Sequence, residues 1–292
     1  MKVHLVDGTY ELFRHYYALP SHINRDGQEV SAVRGVLGSL LGLLEEGATH
    51  VGVATDHVIE SFRNALYPGY KTGEGVEPAL RSQFELLEET LRAAGFAVWA
   101  MVEFEADDAL GAAAAVADAD PRVQQVLLCT PDKDLAQCVK DRRVVQLDRR
   151  KGATLDAAGV VEKFGVAPAS IPDYLALVGD SADGFPGLPG WGAKSAAAVL
   201  ARYRHLEAIP ERAEDWGVKV RGAARLAETL AQQLEQALLF RRIASVARDV
   251  PGIGAVDDWR WAGPTQSFEE LCDYCDAPRA ADRAARIAAR GR

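Results

Sequence analysis

VGDSADGFPGLPGWGAKSAA (178–197) is the stretch on which the reading of this chain turns. Two aspartates, Asp180 and Asp183, precede a glycine- and proline-rich loop that ends on Lys194 and Ser195, where a helix should begin. GLPGWGAKS comes close to a P-loop, which would make this half of the chain a nucleotide-binding α/β unit. It departs from that motif twice. Ala193 separates Lys194 from Gly192, and a helical pattern, Tyr174 to Val178, precedes the loop where a P-loop needs a strand. The alternative is a glycine hairpin between two helices. Its freed backbone N–H groups and the following helix N-terminus would face a nucleic-acid phosphate, with Gly187, Gly190, Gly192, Lys194 and Ser195 as contacts. Such contacts read backbone and shape rather than sequence. A tight structural turn without a ligand is the plainer reading of the same residues.

N-terminal to this loop the pattern changes. Short apolar or β-branched runs recur at VHLV (3–6), VGVAT (51–55), FAVWAM (96–101), VQQVLLCT (123–130) and VVQL (144–147). Helical stripes lie between them: Val33, Val36, Leu37, Leu40, Leu41 and Leu44 share one face of Val30 to Glu46, and Leu80, Phe84, Leu87 and Leu91 mark another. This alternation predicts an α/β fold over about residues 1–150, a mostly parallel central sheet flanked by helices. After Arg150 the strand signals stop and Ala, Leu and Arg take helical spacing, which predicts a helical second region beyond a hinge near Lys151-Gly152. The tail from Arg279 to Arg292 carries five arginines against one aspartate, as a solvated helix face or a phosphate-gripping arm.

Composition narrows the class. The chain of 292 residues, 48% hydrophobic and 26% charged, can bury a sizeable core. No apolar run reaches the roughly 20 residues that span a bilayer, and the start shows no cleavable signal, so a cytoplasmic location without membrane contact is expected. Four cysteines are too few and too scattered for a disulfide framework, and Cys272-x-x-Cys275 lacks a second pair or nearby histidines for zinc. The net charge of −9 argues at first sight against nucleic acid, unless many of the carboxylates are metal ligands.

Their positions favour that exception. Asp7 follows the first strand, Asp56 ends the second, and Asp132 and Asp134 in TPDKD follow the fourth. In an open parallel sheet the carboxyl ends of strands form the ligand-binding edge, so these four are expected to converge. Glu105, Asp107 and Asp108 in FEADDAL join them. A rival account is that acids in a first turn merely suit the helix dipole and that Thr130-Pro131 starts a helix. The sum of carboxylates weighs against it, because they would repel at short range unless cations hold them. Oxygen ligands without His or Cys point to Mg²⁺ or Mn²⁺, and two such ions activate water for phosphodiester hydrolysis. Just after Asp56, SFRNALYPGYK (61–71) supplies Arg63 and Lys71 as phosphate clamps and Tyr67 and Tyr70 as stacking rings. Aromatic packing beside a solvated lysine is the alternative.

Taken in order, LVDG (5–8), FRNALYPGYK (62–71), FEADD (104–108), TPDKDL (130–135) and the opening stretch resemble the 5′-nuclease family, which includes flap endonucleases and the 5′→3′ exonuclease domain of bacterial DNA polymerase I. With no polymerase region following, the chain is similar to the stand-alone bacterial form. The resemblance implies a PIN-like nuclease core over 1–165 with an arch segment near 71–90, and a helical DNA-binding region over 166–292 with the glycine hairpin at 184–195, similar to a helix-two-turn-helix that can hold K⁺. It implies a structure-specific enzyme cutting 5′ flaps and 5′ ends of branched or nicked duplex DNA, in replication and repair. Asp7, Asp56, Glu105, Asp107 and Asp108 match the first metal cluster, and Asp132, Asp134, Asp180 and Asp183 match the second. Lys71 matches a lysine reaching the scissile phosphate, and Arg63 and Arg14 match basic residues near the active site; Asp107 and Asp132 are counted with Lys71 and Arg63 as catalytic. One departure is TGEGVEP (72–78), acidic where the family's arch continues with basic residues. A non-catalytic junction-binding protein and a nuclease acting mainly on RNA primers are the competing functions.

Overall fold

The computed structural model describes residues 1–290; Gly291 and Arg292, the last arginine of the basic tail, lie outside the described residues. In chain order the first half runs β1 (Lys2–Asp7), α1 (Gly8–Ala18), α2 (Ser31–Glu45), β2 (His50–Asp56), α3 (Phe62–Leu66), α4 (Pro78–Arg81), α5 (Gln83–Ala93), β3 (Ala97–Met101), α6 (Ala106–Ala119) and β4 (Gln125–Cys129). The second half runs β5 (Val144–Asp148), β6 (Ala153–Leu155), α7 (Ala157–Phe164), α8 (Ile171–Val178), α9 (Ala193–Tyr203), α10 (Ala223–Gln232), α11 (Leu234–Ala244), α12 (Phe268–Tyr274) and α13 (Pro278–Arg290). The chain forms two compact units: Met1–Ile59 with Gly73–Thr130 and the residues from Arg248 onward, and Glu60–Thr72 with Pro131–Ala247.

The first unit is built on four parallel strands in the order β3-β2-β1-β4. Their apolar runs are continuous because helices cover both faces, and Val3, Leu5, Val6, Val51, Val53, Val126 and Leu128 are all fully buried. The chain steps from β1 to β2 and β3 on one side and later to β4 on the other. The strand order therefore reverses between β1 and β4, which is where open α/β sheets place their ligands. The stripe expected on Val30 to Glu46 is α2, and Leu80, Phe84, Leu87 and Leu91 are buried from α4 and α5. The C-terminal segment returns to this unit: Trp259 meets Trp99 edge-on at 5.4 Å, and Trp261 donates to the Ala94 carbonyl at 2.8 Å.

The second unit is helical, with one correction to the sequence reading. Strand signals do not end at Arg150: β6 pairs antiparallel with β5 through Gln146↔Leu155 and Asp148↔Ala153. Lys151-Gly152 is the turn of that hairpin rather than a hinge. The Asp148 carboxylate accepts from the backbone of Arg150 at 3.1 Å and of Lys151 at 3.2 Å, which closes the turn locally. A three-residue strand of Ala, Thr and Leu is too short to show a periodicity. The core of this unit gathers α8, α9 and α11 around Leu175, Phe185, Val199, Trp216 and Phe240. Buried Asp173 ties it together, accepting from Arg241 at 3.0 Å, from the Leu206 backbone at 3.1 Å and pairing with His205 at 3.0 Å. Among the described residues no helix is long and apolar enough to cross a membrane.

Candidate metal centre and phosphate-binding loop

In the first unit the carboxyl ends of the strands carry acids whose positions are fixed by the backbone. Asp7 ends β1 and caps α1: its Oδ1 accepts from the Tyr10 N–H at 2.8 Å, and its Oδ2 accepts from the Thr130 hydroxyl at 3.0 Å. Thr130 thus serves Asp7 and starts no α-helix; a 3₁₀ turn begins only at Asp134. Asp56 ends β2, with Oδ1 accepting from the Ala106 N–H at the start of α6 at 2.7 Å. A residue the sequence did not single out holds that strand end. Buried Glu88 accepts from Thr55 at 2.8 Å and pairs with His57 at 2.9 Å, gripping both neighbours of Asp56. Glu105 and Asp108 are buried and Asp107 is half-buried; Asp108 Oδ2 accepts from the Glu105 N–H at 3.0 Å, so it also closes the first turn of α6, where the rival account placed acids to suit the helix dipole. Arg14, on α1, donates to buried Glu11 at 2.5 Å.

In the second unit three carboxylates meet. Oxygens of Asp134, Asp180 and Asp183 lie within 4.8 Å of one another, and all three residues are buried. The loop that brings them together is clamped at its base, where Asp180 and Phe185 exchange backbone hydrogen bonds of 2.8 and 3.0 Å and Phe185 stacks on Phe240 at 5.4 Å. Within it Gly184 has φ +85°, and a Cβ there would stand 2.2 Å from the Gly69 carbonyl oxygen, so the close approach of the 69–71 segment requires glycine. Asp132 stands outside this triplet on an exposed turn, its Oδ1 accepting from the Asp134 N–H at 2.9 Å.

Two lysines neutralise part of this charge. Lys71 Nζ lies 2.9 Å from Asp183 Oδ1, and its N–H donates to the Asp183 carbonyl at 3.0 Å. Lys133, unremarked in the sequence although it stands between Asp132 and Asp134, pairs with Asp180. Asp134 feels the Lys133 charge but pairs with neither lysine: among the described residues its buried Oδ1 accepts no hydrogen bond. Burial, reinforced by the Asp132, Asp183 and Asp180 charges, pushes its carboxyl well above the usual range. An orphaned, buried oxygen beside two further carboxylates, with no nitrogen or sulfur donor in the group, suits a hard divalent cation.

The remaining segment 61–71 corrects two expectations. Tyr70 is buried in the core, only 4% exposed, so its ring is not offered to a base, and Tyr67 packs edge-on against Phe240 at 5.5 Å. Arg63 is 3% exposed, and its guanidinium donates to the Ile243 carbonyl at 2.8 Å and the Ser245 carbonyl at 2.9 Å, closing the end of α11. Those donors are committed within the protein.

The opening stretch folds as a hairpin between α8 and α9. Gly187 takes φ +69° and lies against Gly179 and Leu177, so it shapes the turn. Gly190, Gly192, Lys194 and Ser195 line a groove of about 800 Å³ together with Lys219, Arg221 and Arg225. Lys219 and Arg221 sit on a second turn leading into α10 that the sequence reading passed over, and Arg225 lies in the first turn of that helix. Its signal was the basic run KVRGAAR (219–225). Trp191 joins the two turns by donating to the Leu226 carbonyl at 3.2 Å. The Ser195 hydroxyl is occupied inside the hairpin, accepting from the Gly192 N–H at 3.0 Å and donating to the Gly192 carbonyl at 2.9 Å. The groove therefore offers exposed cations, with no carboxylate on its wall among the described residues.

Cys272 and Cys275 are free and buried, and burial raises their thiols to about 12 and about 11.

This geometry can be set beside known proteins. Residues 2–165 match the 5′-3′ exonuclease N-terminal resolvase-like domain and residues 166–267 the 5′-3′ exonuclease C-terminal SAM fold. DNA polymerase I of Pseudomonas aeruginosa is 37% identical over 84% of the chain, and that of Bacillus caldotenax 34% identical over 92%. The chain spans 27% and 31% of their lengths. A flap endonuclease of bacteriophage T5, solved with DNA and metal ions, superposes with a TM-score of 0.65 at 18% identity, covering 99% of both chains. Flap endonuclease-1 of Methanococcus jannaschii superposes with a TM-score of 0.62 at 17% identity, covering 100% of this chain and 93% of its own. Both exonuclease domains follow one another here without a gap, and the acids at the strand ends and the hairpin after Asp183 fall inside them: the chain belongs to the 5′-3′ exonuclease family.

Proposed function

We propose that this protein is a structure-specific 5′ nuclease that hydrolyses phosphodiester bonds at 5′ flaps and 5′ ends of duplex DNA. The observation that carries the reading is the buried Asp134, Asp180 and Asp183 triplet with Lys71 against it and an oxygen of Asp134 left without a partner. On this reading Asp134, Asp180 and Asp183, with Asp132 beside them, hold one divalent cation, Mg²⁺ or Mn²⁺, and Asp7, Asp56, Glu105, Asp107 and Asp108 hold a second. Bound there, such ions supply a water acidic enough to attack phosphorus at neutral pH and offset the charge of the leaving oxygen. The protein's own residues do the rest. Lys71, released from Asp183, meets a non-bridging oxygen of the scissile phosphate, while the clamp between Asp180 and Phe185 keeps the carboxylates in place without substrate.

The groove at Gly190 to Ser195, with Lys194, Lys219, Arg221 and Arg225, takes a phosphate further along the duplex, and K⁺ on the hairpin carbonyls would strengthen that contact. Four cations gathered on one groove explain how a chain of net charge −9 meets DNA. Arg14 remains assigned to the 5′ strand, and the segment near 71–90 to an arch over it.

The test is cleavage of a labelled 5′ flap, a nicked duplex and a blunt duplex in Mg²⁺, with EDTA as control. Asp180→Asn or Asp132→Asn should abolish cleavage and leave flap binding largely intact. Full activity in either variant overturns the assignment, and matched flaps with DNA or RNA 5′ strands fix the strand preference.

A further inference from the structure

The basic C-terminal helix has a role that the nuclease reading does not absorb. Arg34 on α2 and Arg279 and Arg283 on α13 line a cleft of about 370 Å³, together with Gly38 and Asp276. Arg283 is a fixed wall of it: Nη2 pairs with Glu45 at 2.8 Å and Nη1 donates to the Gly38 carbonyl at 3.2 Å. Arg34 and Arg279 differ. Among the described residues neither forms an ion pair, and Nη1 of Arg34 is buried without any hydrogen-bond partner. The one carboxylate on the wall, Asp276, is already taken by His22 at 2.9 Å.

A guanidinium nitrogen buried with no acceptor is a standing cost, relieved when an anion supplies one. Phosphate suits it best, because its tetrahedral oxygens accept two parallel N–H bonds from one guanidinium and leave others for a second. The cleft opens to solvent at Arg279, which is exposed, while Arg34 is half-buried, and both line the one space that a phosphate would enter.

We propose that the cleft between α2 and α13 is a second phosphate-binding site, with Arg34 and Arg279 as its donors, which takes the phosphate group of a DNA backbone or of a free phosphate. The cleft stands whether or not the chain cuts DNA. Only the backbone source rests on the nuclease reading.

The experiment measures binding without cleavage. Affinity of the full chain for a labelled 5′-flap duplex is followed by fluorescence anisotropy in EDTA across a KCl series, for wild type, Arg279→Ala and Arg34→Met. Inorganic phosphate is titrated in parallel and followed by phosphorus NMR line width. If the cleft holds a backbone phosphate, the slope of log K against log[KCl] becomes shallower by about 0.9 in each variant. If it takes free phosphate, the slope stays unchanged while the phosphate broadening seen with wild type disappears in the variants. Unchanged slope with broadening absent from wild type, or retained in both variants, overturns the proposal. Arg279 is exposed, so its variant decides the matter even if Arg34→Met melts early. Failure of wild type to bind the flap at any salt would refute the nuclease reading while the phosphate titration still reads the cleft.

Discussion

Asp134→Asn should stabilise the metal-free protein and abolish its stabilisation by metal. At the 4.8 Å limit of the triplet, two ionised carboxylates repel by about 3.5 kcal/mol at an effective dielectric of about 20. With Lys71 on Asp183 and Lys133 on Asp180, that repulsion falls hardest on Asp134, whose Oδ1 has no donor. Its folded pKa is raised above the ordinary 3.8, so between the two values the native state binds more protons than the unfolded chain. Stability of the metal-free wild type therefore falls as pH rises through that window, by up to about 1.4 kcal/mol per pH unit. The asparagine variant lacks this slope. In EDTA, urea melts should show the two proteins nearly equal below pH 3.8 and the variant more stable at neutral pH, by no more than about the 3.5 kcal/mol of repulsion that the asparagine removes. A saturating divalent cation then reverses the order. A ligand at 100 times its Kd adds about 2.7 kcal/mol, and the variant should gain far less than that. A variant less stable than wild type in EDTA at neutral pH, or an equal gain with metal for both, would refute the reasoning.

Lys71→Ala should lower single-turnover cleavage on the order of 10²–10³-fold with metal-induced stabilisation retained, the scale of removing one preorganised charge; an unchanged rate would return Lys71 to a structural partner of Asp183. Gly184→Ala should cost about 3 kcal/mol or more, because φ is +85° and the new Cβ meets the Gly69 carbonyl oxygen, and a thermal melt within about 1 kcal/mol of wild type would contradict the packing. Glu29 is buried, which by itself raises its carboxyl, but the Ser21 hydroxyl, Ser31 and the His22 N–H outweigh this and bring it to about 2. Its contribution is therefore full above pH 4.5 and lost as pH falls toward 2. Glu29→Ala should cost about 2 kcal/mol at neutral pH in urea melts, since the His22 and Ser31 N–H groups lose their acceptor. All four cysteines are buried, so a thiol reagent should label them at the rate of unfolding, and rapid labelling of the native protein would show that the α12 region opens.

Much of the first unit was legible because its signals are local. Continuous apolar runs mark buried parallel strands, and an acid directly after such a run must lie at a strand's carboxyl end, so Asp7 and Asp56 could be placed without coordinates. The P-loop was likewise excluded by what preceded the glycines. β6 was not legible, since three residues hold no period and pair only because the Asp148 turn brings them back. Tyr70 and Arg63 were read as ligand-facing from their residue types, yet burial is decided by what packs around a side chain. The Ile243 and Ser245 carbonyls that take Arg63, and the core that takes Tyr70, come from sequence far away.

The sequence by itself determined most element types, the α/β class, the family and which residues carry charge, because each depends on residues close together or on motifs kept in order. Only the tertiary structure decided which of those charges face one another. It drew Asp134, Asp180 and Asp183 within 4.8 Å, assigned Lys133 to Asp180 and Lys71 to Asp183, and left Nη1 of Arg34 without an acceptor among the described residues. The physical reason is range. Propensity and periodicity act over one or two turns, whereas electrostatic pairing and desolvation depend on neighbours brought together by folding, and those are set by the whole chain.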